Sequence, residues 1–171
     1  MRSLFFYKEG DRMKKIVLMV AGLVVLMTAV CAFAEEGYSD DIMDKIMAMK
    51  ADAEIKKDMP ASLPGVKIVN TSEALKLLKE KKVVFLDNRI KTQFDTEHIA
   101  GAKLFFCDTL IDNPGLAKNL DKSKEYLLYC NGTHCWRSPS VALMLSQLGF
   151  KNLYWYRDGI PAWKKAGNPV E

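Results

Sequence analysis

The sequence predicts an α/β domain built on a parallel sheet. Short apolar runs alternate along the chain with segments whose apolar residues recur at helical spacing. The runs at 83–86 and 126–129 lack polar alternation, which is typical of strands covered on both faces. Strands separated by helices form βαβ units with right-handed crossovers, so neighbouring strands are expected to be parallel.

Five strands are predicted, at residues 66–69, 83–86, 103–106, 126–129 and 152–156. Helices are predicted at 72–80, 138–147 and 161–165. Asn70, followed three residues later by Glu73, predicts a capping box at the start of the first of these helices. Ligands in such sheets bind beyond the carboxyl ends of the strands, and functional residues are therefore expected there.

Residues 1–34 are predicted to be a secretory signal peptide. Met13, Lys14 and Lys15 precede an apolar run over 16–32, and a small-x-small cleavage site ends at Ala34. Residues 1–12 add nothing to this pattern, so Met13 is an alternative start. The protein is then exported to the periplasm or another extracytoplasmic compartment. The alternative is an uncleaved anchor, which would be its only contact with a membrane.

Between the signal and the domain lies a short extension. Apolar residues recur at helical spacing over 38–57, which predicts an amphipathic helix, and a Pro- and Gly-containing linker follows at 60–65. The organisation is therefore a signal at 1–34, a helix and linker at 35–65, and the domain at 66–171. The sequence leaves open whether this helix packs on its own domain, on a second copy of the chain, or on another protein.

Charge and cysteine content narrow the function further. Without residues 1–34 the chain has 20 basic and 19 acidic residues, so no basic surface indicates nucleic-acid binding. Three cysteines remain, Cys107, Cys130 and Cys135, and an odd number leaves at least one free thiol. Cys107 follows an apolar strand and is interpreted as a small buried side chain.

Cys130 is the candidate nucleophile. It ends the fourth strand, and the following loop closes on Arg137 at the start of the next helix, where Pro139 suits an early helical position. Helix N-termini attract anions through free N–H groups, and Arg137 adds a bidentate cation. The positive electrostatic field of the helix N-terminus and Arg137 is expected to lower the pKa of the Cys130 thiol and to make this thiol reactive.

The residues between Cys130 and Arg137, together with Ser138, complete a predicted anion-binding loop. Its members are Asn131, Gly132, Thr133, His134, Cys135, Trp136 and Ser138. Cys135 is either a thiol that resolves oxidised Cys130 or a small residue that packs in the loop. A metal site at Cys130, His134 and Cys135 is not expected, because no fourth ligand is visible. No metal or organic cofactor is predicted.

Several motifs resemble those of rhodanese-like domains. Residues 84–89 resemble the strand followed by Asp-x-Arg that opens such domains, residues 94–102 resemble their F-x-x-G-H-I-P-G-A segment, and residues 149–170 match their closing pattern. The resemblance implies a three-layer α/β/α fold on a five-stranded parallel sheet. It implies that Asp87, Arg89 and His98 support the fold.

The same resemblance implies sulfane-sulfur transfer through a persulfide on Cys130. The donor would be a small anion such as thiosulfate, or a persulfide, and the acceptor a thiol or cyanide. The Cys-x6-Arg loop is longer than the usual sulfurtransferase loop by two residues and than the related phosphatase loop by one. Two alternatives therefore stay open: a thiol phosphatase or arsenate-reductase-like enzyme, and a non-catalytic redox or binding module with a Cys130–Cys135 disulfide.

If the signal is cleaved, mature protein from the cell envelope begins at Glu35, because the peptidase cuts after the small-x-small site. N-terminal sequencing of the envelope protein checks this. Membrane-retained protein that still carries Met13 would instead support the anchor.

Overall fold

The computed structural model describes residues 37–171, so the predicted signal at 1–34 lies outside the described residues. Five parallel strands form one sheet in the order β1-β5-β4-β2-β3. They are β1 (Val66–Ile68), β2 (Val83–Asp87), β3 (Lys103–Leu104), β4 (Glu125–Tyr129) and β5 (Leu153–Tyr156). The predicted α/β class and five-stranded parallel sheet are confirmed. No helix within 37–171 is long and apolar enough to cross a membrane.

Helices cover both faces of the sheet. They are α1 (Asp40–Glu54), α2 (Thr71–Glu80), α3 (Lys91–Thr96), α4 (Cys107–Asp112), α5 (Arg137–Gln147) and α6 (Gly159–Lys165), with a 3-10 helix at Pro114–Asn119. Leu86 and Leu128 pack with α1, α4 and α5 on one side. Phe85 and Leu127 pack with α2 and α6 on the other. Successive strand residues point to opposite faces, which explains why β2 is apolar over 83–86 and β4 over 126–129.

Local sequence signals explain how α2 begins. The Asn70 side chain accepts the Glu73 N–H at 3.0 Å, and the Glu73 carboxylate accepts the Asn70 N–H at 2.9 Å, which forms the predicted capping box. The predicted strand over 103–106 is wrong after Leu104, because α4 begins at Cys107. Helices α3 and α4 have six residues each and are too short to show helical periodicity in the sequence.

The amphipathic helix α1 packs on its own domain. Its residues Ile46 and Met49 are buried in the core beside α5. The Ser39 N–H before α1 donates to Gln147 at the end of α5 at 3.0 Å, whereas Lys50 lies over the ring of Trp136 just before α5 begins. The two helices therefore run antiparallel. This cover explains why nearly all of α5 is buried, although only one of its faces contacts the sheet.

Gly159 fixes the distance between α6 and the loop that follows β4. Its φ is +63°, and a Cβ placed there would lie 2.2 Å from the Cys130 oxygen and 2.5 Å from the Gly132 nitrogen. The next amide, Ile160 N–H, donates to the Cys130 oxygen at 3.0 Å. Only a glycine permits this close approach of two backbone segments.

We expect Gly159→Ala to be strongly destabilising. The left-handed backbone costs a side chain about 1–2 kcal/mol, and overpacking adds roughly 1–3 kcal/mol because the obstacle is backbone. Urea denaturation measures the loss in the free energy of unfolding, which is the sum of these two costs. Gly167→Ala is the matched control, since its φ is +70° but its Cβ would meet nothing within 4 Å. Equal losses in the two variants would show that the contact with the loop is unimportant.

Candidate active site

Cys130 follows directly after β4, the central strand, at the carboxyl edge of the sheet. It is 1% exposed. Its Sγ lies 3.1 Å from Ser138 Oγ and 3.4 Å from the backbone oxygen of Cys135. The β4 strand and the first turn of α5 thus converge on this sulfur, as the sequence predicts for a strand-end cysteine facing a helix start.

Ser138 connects Cys130 to the core of the domain. The Trp155 indole N–H donates to Ser138 Oγ at 2.9 Å, and both residues are buried. An indole nitrogen is only a donor, so it occupies one lone pair of the hydroxyl and leaves the hydroxyl proton free. Ser138 therefore donates its proton toward the Cys130 sulfur.

The expectation that Cys130 ionises easily is wrong. Burial raises the pKa of the Cys130 thiol well above its ordinary value, and its hydrogen bond with Cys135 raises it further. The Ser138 hydroxyl and amide oppose this shift without overcoming it. Desolvation disfavours a charged sulfur more strongly than the helix start stabilises it.

Cys135 carries the thiolate of the loop. A hydrogen bond from the Cys130 thiol lowers the pKa of Cys135 to about 6, with further contributions from the backbone amides of Asn131 and Arg137 and from the charge of Arg137. Cys135 is partly exposed, whereas Cys130 is buried. The thiolate of this loop is therefore located on Cys135, and Cys130 stays protonated.

Arg137 is the first residue of α5, and neighbouring side chains fix its guanidinium. Arg137 Nε donates to Asp108 Oδ2 at 2.8 Å. The guanidinium carbon lies 5.0 Å from the ring centroid of Trp136 and 5.7 Å from that of Phe106. Trp136 is buried among core residues. Its ring supports Arg137 from within the domain.

Residues of the extension before the domain contact the part of the loop that contains Thr133 and His134. Buried Met59 donates its N–H to the Thr133 oxygen at 2.7 Å, and His134 Nε2 lies 3.1 Å from Asp58 Oδ1. Thr133 also hydrogen-bonds Asp58 and is the main reason that the pKa of this carboxyl is lowered. Arg157 donates to the oxygens of Met59 and Pro60 at 2.6 and 3.2 Å. We call the segment 58–60 with Arg157 the loop clamp.

A groove of about 280 Å³ lies beside the loop. It is lined by Arg89, Thr92, Gln93, Thr96 and Glu97. Gln93 Oε1 accepts a hydrogen bond from Asn131 Nδ2 at 3.1 Å, which joins the groove to the loop. The groove is therefore a concave surface that is connected to the loop through Asn131.

The three residues predicted to support the fold contact other protein groups. Arg89 forms a buried ion pair with Asp87 at 2.6 Å and donates to the Glu97 oxygen at 2.7 Å. His98 stacks on Phe94 and lies 3.3 Å from a carboxylate oxygen of Glu171. These contacts join all three side chains to other parts of the domain.

The structure thus brings Cys130, Cys135, Arg137 and Ser138 together. His134 is exposed at the clamp. Asp108 and the loop clamp are not predicted from the sequence, because their partners lie far away along the chain. Nor is Asn88, whose buried Oδ1 has no hydrogen-bond partner within 37–171, although its Nδ2 donates to the Phe105 oxygen at 2.8 Å. Its position at the carboxyl end of a strand was the only available signal.

Comparison with known proteins identifies similar chains. The family model of the rhodanese-like domain matches residues 70–166. The thiosulfate sulfurtransferase GlpE of Coxiella burnetii is 34% identical over 98 residues, which cover 57% of this chain and 87% of the relative.

Solved structures share the fold. The rhodanese-like domain of an Anabaena protein superimposes with a TM-score of 0.52 at 27% identity, covering 60% of this chain and 76% of that one. A Rhodopseudomonas palustris protein described as a possible tyrosine phosphatase gives a TM-score of 0.53 at 24% identity, covering 74% and 93%. From the family match, the relative and the shared parallel sheet, this chain belongs to the rhodanese-like domain family.

Proposed function

We propose that this protein transfers sulfane sulfur from a small anionic donor to a thiol or cyanide through a persulfide on its loop. The observation that carries the proposal is the loop after the central parallel strand, which places partly exposed Cys135 against buried Cys130 and two residues before Arg137, with the pKa of Cys135 lowered to about 6. The similarity to a thiosulfate sulfurtransferase supports the same class of reaction.

The first step is nucleophilic attack by a thiolate on the outer sulfur of the donor. With thiosulfate, Cys135 Sγ bonds to the sulfane sulfur, the S–S bond of the donor breaks, and sulfite leaves with the bonding electron pair. Arg137 and the loop amides balance the negative charge of the approaching anion. An acceptor thiolate or cyanide then removes the outer sulfur and regenerates Cys135.

Cys135 is favoured over Cys130 as the persulfide residue for two reasons. A buried thiol with a raised pKa is a poor nucleophile at neutral pH, since the thiolate is the reactive form. The donor also reaches the partly exposed Cys135 before the buried Cys130. The strand-end position of Cys130 supports the opposite assignment, and single-serine variants distinguish the two.

We expect Cys135→Ser to abolish sulfur loading from thiosulfate and Cys130→Ser to retain it. The loading rate of wild-type protein is expected to rise with pH through about 6, the pKa of Cys135, and then to level off. It falls about tenfold between about pH 7 and about pH 5, because the thiolate fraction drops accordingly. Intact mass after short incubation with thiosulfate measures a reductant-labile gain of one sulfur.

A rate that continues to rise above about pH 8 would contradict Cys135 as the nucleophile, because a thiol with a raised pKa ionises only there. So would loading of Cys135→Ser together with its loss in Cys130→Ser. Phosphate release from an aryl phosphate without any sulfur loading would favour the phosphatase alternative instead.

Arg137→Ala is expected to weaken donor binding and to move the midpoint of the pH profile upward. A hydrogen bond to a charged group contributes about 1.5–3 kcal/mol, so the KM for thiosulfate rises roughly 10- to 100-fold. The midpoint rises because the Arg137 charge helps to hold the Cys135 pKa down. The steady-state rate of sulfur transfer to cyanide, followed over a range of pH, measures both the KM for thiosulfate and the midpoint of the pH profile.

Lys50→Ala is the matched control, since Lys50 is another cation over the Trp136 ring, at 5.7 Å, and is not among the groups that lower the Cys135 pKa. An equal rise in KM in both variants would mean that overall charge, not the position of Arg137, determines donor binding.

A further inference from the structure

We propose that the loop is also a sulfide-releasing centre, in which buried Cys130 attacks the persulfide formed on Cys135, closes a Cys130–Cys135 disulfide and expels sulfide. This inference rests on the proposed function, because it needs sulfur to load on Cys135. It gives the protein a second activity, reduction of sulfane sulfur at the expense of a dithiol.

The geometry places the two sulfurs as attacking and attacked atoms. Cys130 Sγ lies 3.4 Å from the backbone oxygen of Cys135, so the buried thiol is already in contact with the residue that carries the persulfide. A turn closed by the Cys135 N–H and the Gly132 oxygen at 3.0 Å folds the chain back toward Cys130. A disulfide requires this kind of close approach of two cysteine backbones.

The direction of approach is equally suitable. Donors reach Cys135 from solvent, so the transferred sulfur extends to the solvent side of the loop. Cys130 lies on the opposite, buried side. Thiol–disulfide exchange proceeds by attack of one sulfur on the S–S bond with departure of the other, and here the leaving sulfur faces water.

Ser138 and Trp155 stabilise the attacking group. Trp155 holds the Ser138 hydroxyl so that its proton is directed at Cys130 Sγ, 3.1 Å away. Before loading, the neighbouring charge of the Cys135 thiolate helps to keep Cys130 protonated. Once Cys135 is persulfidated, this charge lies on the outer sulfur, and Ser138 is the donor to the negative charge that develops on Cys130. Ser138 acts through Cys130 and is a positioning residue.

The atoms and electrons balance. The persulfide Cys135–S–S⁻ and the Cys130 thiol give Cys130–S–S–Cys135 and HS⁻, with the thiol proton carried to the leaving sulfur. The bond between the two persulfide sulfurs breaks, and one bond between the cysteine sulfurs forms. The two cysteines supply the two electrons that reduce the sulfane sulfur to sulfide. An external dithiol then reduces the disulfide and restores the loop.

The experiment follows the full-length protein, fully reduced and freed of reductant, after addition of thiosulfate without an acceptor. In wild type we expect a transient persulfide, then an intact mass lower by two hydrogens and one equivalent of sulfide per chain. In Cys130→Ser the persulfide persists and sulfide release is lost. Peptide mapping after thiol blocking identifies the bridge between residues 130 and 135.

Two further variants separate chemistry from folding. Ser138→Ala is expected to release sulfide, counted per loaded persulfide, at least about tenfold more slowly, as for one lost hydrogen bond to a charged group, and Ser138→Thr restores release. Cys107→Ala removes the third cysteine, which is fully buried, and leaves the bridge and the sulfide yield unchanged.

The outcomes are distinguishable. Loading without release in wild type, or release by Cys130→Ser at the wild-type rate, overturns this inference and leaves the proposed function intact. Failure of both wild type and Cys130→Ser to load sulfur overturns the proposed function, and the inference with it. A bridge that includes Cys107 would also contradict the assignment.

Discussion

The contact of the buried Cys130 thiol with Cys135 is the interaction on which the chemistry of this loop depends. Two thiols in contact cannot both carry a charge, so the pair holds one proton and one anion. Burial decides which sulfur keeps the proton, because Cys130 lies behind the loop and Cys135 at its surface. The loop amides and Arg137 then stabilise a thiolate that solutes can reach.

That arrangement requires a loop of defined shape, and contacts from two sides supply it. On one side, Gly159 and Ile160 bring α6 against the Cys130 oxygen. On the other, the loop clamp binds the oxygen of Thr133 and the ring of His134. The extension before the domain is therefore part of the site. Its helix α1 covers α5. The linker after α1 contacts the loop between β4 and α5.

The longer loop and the second cysteine are consistent with each other. Compared with the usual sulfurtransferase loop that the sequence resemblance implies, Cys-x6-Arg has two additional residues between the strand-end cysteine and the arginine. The addition provides room for a turn that returns Cys135 to Cys130. One cysteine is then placed at the sheet and another at the surface, which is the arrangement that loading by one sulfur and release by the other would need.

The sequence by itself determined the parallel sheet, the α2 capping box and the loop between Cys130 and Arg137, because each depends on residues close together in the chain. Apolar periodicity and turn chemistry are local, so they can be read from the sequence. Which cysteine ionises was decided by the tertiary structure alone. That choice depends on the burial of Cys130 and on the backbone amides at Cys135, in a loop held by long-range contacts such as Arg157 with Met59, which lie 98 positions apart. Desolvation and long-range hydrogen bonds exist only once the chain has folded, and no local pattern encodes them.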